Sequence, residues 1–357
     1  MTIKYSDRED VLTQKYELFS IPEPNAGIST FGSVGIGTSK WWGGVLAPNG
    51  KIYAAPSYSS SILEIDSIVG TATTFGSISG NSKYAGAVLA KNGKIYCIPN
   101  TARNILEIDP ISKTSSTFAT ITGTDTWSGG VLADNGKIYC IPFNSRNILV
   151  IDPIARSTST IVIPSSINPL PGSLGESSWS GGVLASNGKI YAIPNSQNTF
   201  RILIITPSSG IATYFGNVGT ATTNKWSGGV LSLDGKIYGI PQNHSAVLKI
   251  DPILQTTTEI GNFIGSDKWR GGVLSTNQKI YGIPNNSLSI LEIDTSVGIA
   301  TTLSNVGIAL SSCAGGVLGK DGKIYCIPSN SSTVFEIGQT TATRPSNILF
   351  GPHLNKF

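Results

Sequence analysis

The chain has 357 residues and a formal charge of +4, and only 13% of them are Asp, Glu, Lys or Arg, about half the usual share. Hydrophobic residues at 39% are ample for a core and exclude wholesale disorder. No apolar run of the roughly 18 residues needed to span a membrane as a helix is present, and a modest positive balance spread along the chain carries no nucleic-acid footprint.

Residues 1–27 read as an N-terminal extension, too polar over Met1–Asp10 for a secretory signal, with a candidate strand over Lys15–Ile21. Ile28-Ser-Thr-Phe-Gly-Ser33 follows, a short strand whose pattern returns later as the last strand of each repeat. The repeat itself begins at Trp41. Its fullest form is Trp127-Ser-Gly-Gly-Val-Leu-Ala-Asp-Asn-Gly-Lys-Ile-Tyr-Cys-Ile-Pro142, and aligning on the valine gives Val45, Val88, Val131, Val183, Val230, Val273 and Val317. The spacings are 43, 43, 52, 47, 43 and 44 residues, the longest containing a Pro/Ser-rich insertion over Pro164–Ser173.

Each copy contains four short strands. Gly-Gly-Val-Leu-Ala is the first and Lys-Ile-Tyr-Cys-Ile-Pro the second. Asn49-Gly50 and its equivalents between them predict a two-residue type I′ hairpin, with Asn277-Gln278 a costlier version in the sixth copy. A polar loop, a third strand such as Asn104–Asp109, an Asp-Pro turn and a Thr-rich fourth strand ending in Phe-Gly complete the unit. The seventh copy, ending at Thr333-Val-Phe-Glu-Ile337, has no fourth strand, so Ile28–Ser33 is expected to supply it. Residues 338–357 form a tail with a candidate strand at Asn347–Phe350.

Four-stranded units repeating every ~40–45 residues predict an all-β, seven-bladed β-propeller over residues 28–337, closed three strands plus one, with no open sheet edge and ring closure lost on deletion of 28–33. Close approach to the axis explains the Gly-Gly pair. The order Gly-Gly-Val-Leu, Asn-Gly-Lys-Ile-Tyr and Ile-Leu-Glu-Ile-Asp-Pro resembles propeller repeats named for a Tyr-Val-Thr-Asn tetrapeptide, replaced here by Tyr96-Cys-Ile-Pro99, and more loosely kelch repeats. The Trp-Asp pair of WD repeats is absent. Such a resemblance implies the fold, while propellers host enzymes, lectins and scaffolds alike.

In propellers, the fourth-to-first and second-to-third loops share one rim. Here that loop rim collects Trp41, Trp127, Trp179, Trp226 and Trp269, with Tyr84 and Cys313 at the remaining equivalents. Lys40, Lys83, Lys225 and Lys268 precede four of these positions, and the neighbouring loops contain Asn100, Asn144, Asn195, Asn243 and Asn285. Aromatic rings beside amides suit sugar binding by stacking and hydrogen bonding. The competing reading is that a Trp in nearly every repeat wedges adjacent blades. The hairpin rim has Lys51, Lys94, Lys137, Lys189, Lys236, Lys279 and Lys323, expected to be compensated by Asp66, Asp109, Asp152, Asp251 and Asp294.

The first strands have neither carboxylate nor histidine, and their sole charge is Arg270. No nucleophile, metal-ligand, phosphate-loop or dinucleotide motif is present, so no catalytic residue, metal or cofactor is expected. Cys97, Cys140 and Cys326 share a slot filled elsewhere by Ala or Gly and are expected to be buried and unpaired, leaving Cys313 as the exposed thiol. The sequons at Asn243, Asn285 and Asn330 read as chance without a signal peptide. The functional expectation is a non-catalytic binding propeller with a glycan or protein partner and neither nucleic acid nor membrane. The alternatives are a structural component of a virion or tail-like assembly, docked through its terminal segments, and a lactonase or polysaccharide-lyase type of enzyme.

Overall fold

In the computed structural model, which describes residues 27–164, 178–196, 200–219, 222–303 and 313–338, the copies form seven four-stranded antiparallel sheets. Blade 1 is Trp41–Leu46, Ile52–Pro56, Ile62–Asp66 and Thr71–Phe75, and the next five repeat that order. Blade 7 takes Cys313–Leu318, Ile324–Pro328 and Val334–Ile337 from the C-terminal end and Ile28–Phe31 from the N-terminal end. The donated strand pairs Ile28 with Ile337 and Phe31 with Val334, so the expected closure is present. The candidate strands Lys15–Ile21 and Asn347–Phe350, and the insertion beyond Pro164, lie outside the described residues.

Burial follows from blades stacking face to face. The five-residue Ile-to-Pro run of every second strand, Ile52–Pro56 for example, is buried, whereas the outer Thr71–Phe75 is mostly exposed. A strand covered on both faces is apolar throughout, and an outer one can be Thr-rich. The core is accordingly divided into seven clusters, one per blade interface. The cluster that closes the ring joins Trp41, Ile52 and Leu63 of blade 1 to Val317, Tyr325 and Ile327 of blade 7.

The first hairpin differs from the expected type I′ turn. Gly50 N–H donates to Ala47 O at 2.9 Å and Ala47 N–H to Lys51 O at 2.8 Å, and Gly50 alone of the loop has positive φ, 84°. This is a three-residue loop, a type I turn closed by a left-handed bulge residue. Asn49 earns its place through its side chain. Its Oδ1 accepts from Lys51 N–H at 3.1 Å and its Nδ2 donates to the Tyr53 hydroxyl at 2.9 Å. Asp234 and Asp321 do the same job in reverse, accepting from Tyr238 and Tyr325.

The two glycines of the innermost strand have separate causes. A register shift between Trp41 and Gly44 inserts one extra residue, and the first glycine sits there at φ 67°, repeated through Gly315 at 95°. The second glycine faces the preceding blade. A Cβ on Gly130 would lie 2.4 Å from Ile98 Cδ1, and one on Gly44 2.8 Å from Ile327 Cδ1. Crowding at the axis, the expected reason, is seen between Gly181 and Gly228. Blade 2 alone has Ala87 at the second position, and the facing residue of blade 1 is Ala55 instead of isoleucine; both lie in one cluster.

Candidate functional site

The five repeated tryptophans, expected on the loop rim, are 0–2% exposed. Each indole N–H crosses its own blade to a backbone carbonyl at or just ahead of the start of the third strand: Ser61 at 2.7 Å, Asn147 at 2.8 Å, Arg201 at 3.0 Å, Ala246 at 2.8 Å and Ser289 at 2.8 Å. The rings fill the interface with the preceding blade, as the wedging alternative required. No face remains for a ligand to stack on, because a side chain of this size is the largest filler available to a repeated interface. Tyr84 substitutes in blade 2 with a hydroxyl donated to Asn104 Oδ1 at 2.6 Å. Cys313 substitutes in blade 7, where it is 1% exposed and therefore not the accessible thiol expected; all four cysteines are buried and free.

The amides and lysines beside these rings are also engaged. Asn100 Nδ2 donates to Trp127 O at 3.3 Å and Asn195 Nδ2 to Trp226 O at 2.7 Å, each tying a loop to the next blade. Asn243 Oδ1 accepts from Asp267 N–H at 2.6 Å, Asn285 is buried, and Asn144 ends a strand with Thr126 as its register partner. Lys40 donates to Gly35 O at 2.8 Å and Ser331 O at 2.6 Å, and Lys83 donates to Gly80 O at 2.7 Å and Ser59 O at 2.9 Å. Lys268 repeats the pattern on Gly265 O and Gln242 O. These ammonium groups staple each fourth-to-first loop to the preceding blade through carbonyls, and burial pulls their pKa values down, that of Lys225 to about 8.

The hairpin rim is compensated more thoroughly than the sequence pattern implied. Lys51 reaches Asp66 at 3.3 Å, but its closer partner is Glu64 at 2.8 Å. Lys94, Lys279 and Lys323 likewise meet Glu107, Glu292 and Glu336 at 2.9, 3.1 and 2.9 Å. Glu64 also binds Lys113 of the following blade at 2.9 Å, and Glu107 binds Arg156. Burial of Glu64 opposes ionisation, yet hydrogen bonds from Lys51, Lys113 and Tyr53 hold its carboxyl below the usual range. These third-strand glutamates were in plain sight in Ile-Leu-Glu-Ile-Asp, and only stacking of the blades makes them the hubs.

What differs from blade to blade is the residue just before the first glycine, inside the bulge. Around the axis it is Trp42, Ala85, Ser128, Ser180, Ser227, Arg270 and Ala314. Ser128 Oγ and Ser180 Oγ lie 3.5 Å apart, so neighbouring members converge on the axis. The Arg270 guanidinium lies 4.9 Å from the centre of the Trp42 ring, although blade 7 stands between their blades. Ala314, the blade 7 member, is small enough to leave that path open. Trp42 is half-buried, the one tryptophan of six that is not fully enclosed. Arg270 has Asp267 at 3.7 Å, a carboxylate already accepting from Gln242 Nε2 at 2.6 Å, while its own buried Nε has no partner. Burial draws the guanidinium below its usual value, and Asp267 partly offsets this. The mouth thus combines one incompletely paired cation and one half-buried indole, while the three serines on contiguous blades are buried, 3–6% exposed.

A cleft of ≈ 610 Å³ also opens on this rim at blade 2, between Ser77–Gly80 and Thr101–Asn104. His244, the one histidine among the described residues, is 5% exposed, stacks on Trp226 at 4.2 Å and accepts from Ala246 N–H at 3.1 Å through Nδ1. Among the described residues no three His, Cys, Asp or Glu side chains are grouped to hold a metal ion.

No protein-family model matches the sequence, and no curated protein matches it. Solved structures share the fold. Streptogramin B lyase aligns with TM-score 0.71 at 15% identity over 87% of this chain and 97% of that one. Virginiamycin B lyase from Staphylococcus aureus aligns with TM-score 0.73 at 15% identity over 87% and 99%, and a catalytically inactive histidine-to-alanine form of it has been solved with quinupristin. Hydrazine synthase from Kuenenia stuttgartiensis aligns with TM-score 0.63 at 12% identity over 85% and 96%. At such identities the likeness is one of fold, and the fold of this chain is a seven-bladed β-propeller.

Proposed function

We propose that the chain is a non-catalytic binding propeller that engages a glycan or protein surface on its loop rim, centred on the axial mouth rather than on the repeated tryptophans. The observation behind this reading is the break in the repeat at the bulge, where an accessible Trp42 and an incompletely paired Arg270 stand among Ala and Ser. A repeat that serves only its own packing has no use for a half-buried guanidinium whose buried Nε has no partner. Catalysis of the lyase type is disfavoured. The lyase loses activity when a histidine is replaced, whereas His244 here is buried within its own blade, enclosed against Trp226. A glycan and protein array probed with wild type and Trp42→Ala tests the proposal. Retention of a ligand by the wild type and its loss in a variant of unchanged melting temperature are expected; equal binding by both moves the site elsewhere, and lyase turnover by the wild type refutes the non-catalytic assignment.

A second reading, a component of a larger assembly, draws on the opposite rim. Ile68, Ile111, Ile154 and Ile253 at the tips of the second hairpins are 68–80% exposed, and Gly27 and Gly338 meet on the same rim. Separate apolar tips on one plane suit a protein partner laid across the rim. Replacing all four with Ser leaves a monodisperse chain unchanged in mass by light scattering if no such partner is a second copy, and lowers the mass if one is.

A further inference from the structure

The cleft of ≈ 610 Å³ at blade 2 lies where the repeat breaks its own filling rule. Five blades set an indole into the interface with the preceding blade, whereas blade 2 has Tyr84, whose smaller ring forms part of the cleft wall. The exchange also redirects a hydrogen bond. The indoles donate to a backbone carbonyl, as Trp127 does to Asn147 O, but the Tyr84 hydroxyl donates to the side chain of Asn104, at Oδ1. Asn104 lines the same cleft, and its Nδ2 donor meets no acceptor among the described residues. The hydroxyls of Ser77 and Ser79 on the facing loop, and of Thr117 on the outer strand, are exposed and likewise unpaired among the described residues. Ile78, partly exposed, adds an apolar surface between the two serines.

The charges of the lining are committed elsewhere. Lys83 donates to Gly80 O and Ser59 O, Arg103 donates through NH1 to Asp125 O in the loop that enters blade 3, and no carboxylate lines the cleft. What is left free is amide and hydroxyl, groups that both donate and accept without charge, in a concavity of ordinary ligand size, ~300–1,000 Å³. We propose that this cleft is a binding site for a neutral saccharide: Asn104 Nδ2 donates to a sugar oxygen, the hydroxyls of Ser77, Ser79 and Thr117 meet sugar hydroxyls, and a C–H face rests on Ile78. A peptide would instead add to the edge of an outer strand such as Thr114–Phe118, which the other blades present alike; the amide set by Tyr84 belongs to blade 2 only. The site uses neither Trp42 nor Arg270 and is independent of the axial mouth.

The test uses two variants that the fold is built to accept. Tyr84→Trp restores the indole held by five other blades and should fill the cleft without lowering the melting temperature. Asn104→Asp keeps an acceptor for Tyr84 and removes the free donor. Methyl glycosides of glucose, galactose, mannose and N-acetylglucosamine are titrated by saturation-transfer NMR against the wild type, both variants and Trp42→Ala, with glucuronate, glucosamine and N-acetylserine methylamide as counter-probes. Expected are binding of at least one neutral glycoside by the wild type, at least tenfold weaker binding of it by each cleft variant and of every counter-probe by the wild type, and unchanged affinity in Trp42→Ala. Undiminished binding by Tyr84→Trp or Asn104→Asp, or a counter-probe that binds as well as the glycosides, overturns the proposal. Loss in Trp42→Ala with both cleft variants unaffected also overturns it, and leaves the axial binding function standing. No glycoside bound by the wild type removes the cleft site, while a protein ligand retained on the array still supports the function proposed above.

Discussion

Ala55 and Ala87 offer the sharpest test of how the blades are fitted together. In six interfaces an isoleucine of one blade occupies the space over a glycine of the next, and a Cβ built on that glycine falls 2.4–2.8 Å from the isoleucine Cδ1, well inside the ~3.5–4.0 Å of carbon–carbon contact. Blade 1 and blade 2 meet through two alanines instead, one having lost the long side chain and the other having gained the methyl. Ala55→Ile alone drives three extra carbons onto the Ala87 methyl and is expected to destabilise by about 1–3 kcal/mol, the usual range for overpacking. Ala87→Gly alone leaves a methyl-sized void and a more flexible backbone, for about 1 kcal/mol. The double variant restores the arrangement of the other six interfaces, so its stability should exceed the sum of the single effects by about 1–3 kcal/mol. Urea midpoints at a shared m-value measure all four proteins of the cycle. Additive effects, with no coupling beyond about 0.5 kcal/mol, refute the lock between isoleucine and glycine.

Two further outcomes follow from the same geometry. Gln278 holds φ 67° at the bulge position that glycine fills in the other six first hairpins, so Gln278→Gly should stabilise by about 1 kcal/mol and raise the melting temperature; a lower one contradicts the turn assignment. Stability should also depend on pH in two windows. Asp251, paired with Lys236, is held down to about 2, and Glu64 and Glu107 lie below their ordinary values. Their contribution is full above the unfolded-state values and is lost as pH falls through the folded ones, so the urea midpoint declines from about pH 4 toward pH 2. Lys225 gives a slope of the same sign but opposes folding at neutral pH: pulled down to about 8, it lets the unfolded chain hold more protons between there and 10.5, and stability rises with pH above 8. The rise ends near pH 10, where unfolded tyrosines ionise while burial keeps Tyr53 and Tyr96 protonated to about 12. A Lys225→Met variant should show a smaller rise between pH 8 and 10; an unchanged slope removes Lys225 as its source.

The periodicity of Gly-Gly-Val-Leu, Asn-Gly-Lys-Ile-Tyr and Ile-Leu-Glu-Ile-Asp by itself determined seven blades of four strands, because those phrases carry local chemistry: turn formers, β-branched runs and alternation. The same count, short by one strand at the end and long by one at the start, determined the closure of Ile28–Phe31 onto Val334–Ile337. The turn type escaped it, since Asn49-Gly50 suits two loop lengths and the choice falls to the hydrogen bonds of Ala47 with Gly50 and Lys51. What only the tertiary structure decided lies between blades. Whether Trp127 faces ligand or neighbour, why Lys40 points at carbonyls, and why Ala55 answers Ala87 are all questions about residues brought face to face by stacking sheets in a ring. Arg270 and Trp42 make the point most clearly. They are 228 residues apart in the chain and occupy equivalent positions of two blades that do not touch in sequence order, and only the curvature of the ring, with a small Ala314 between them, puts a cation over an indole at the axis.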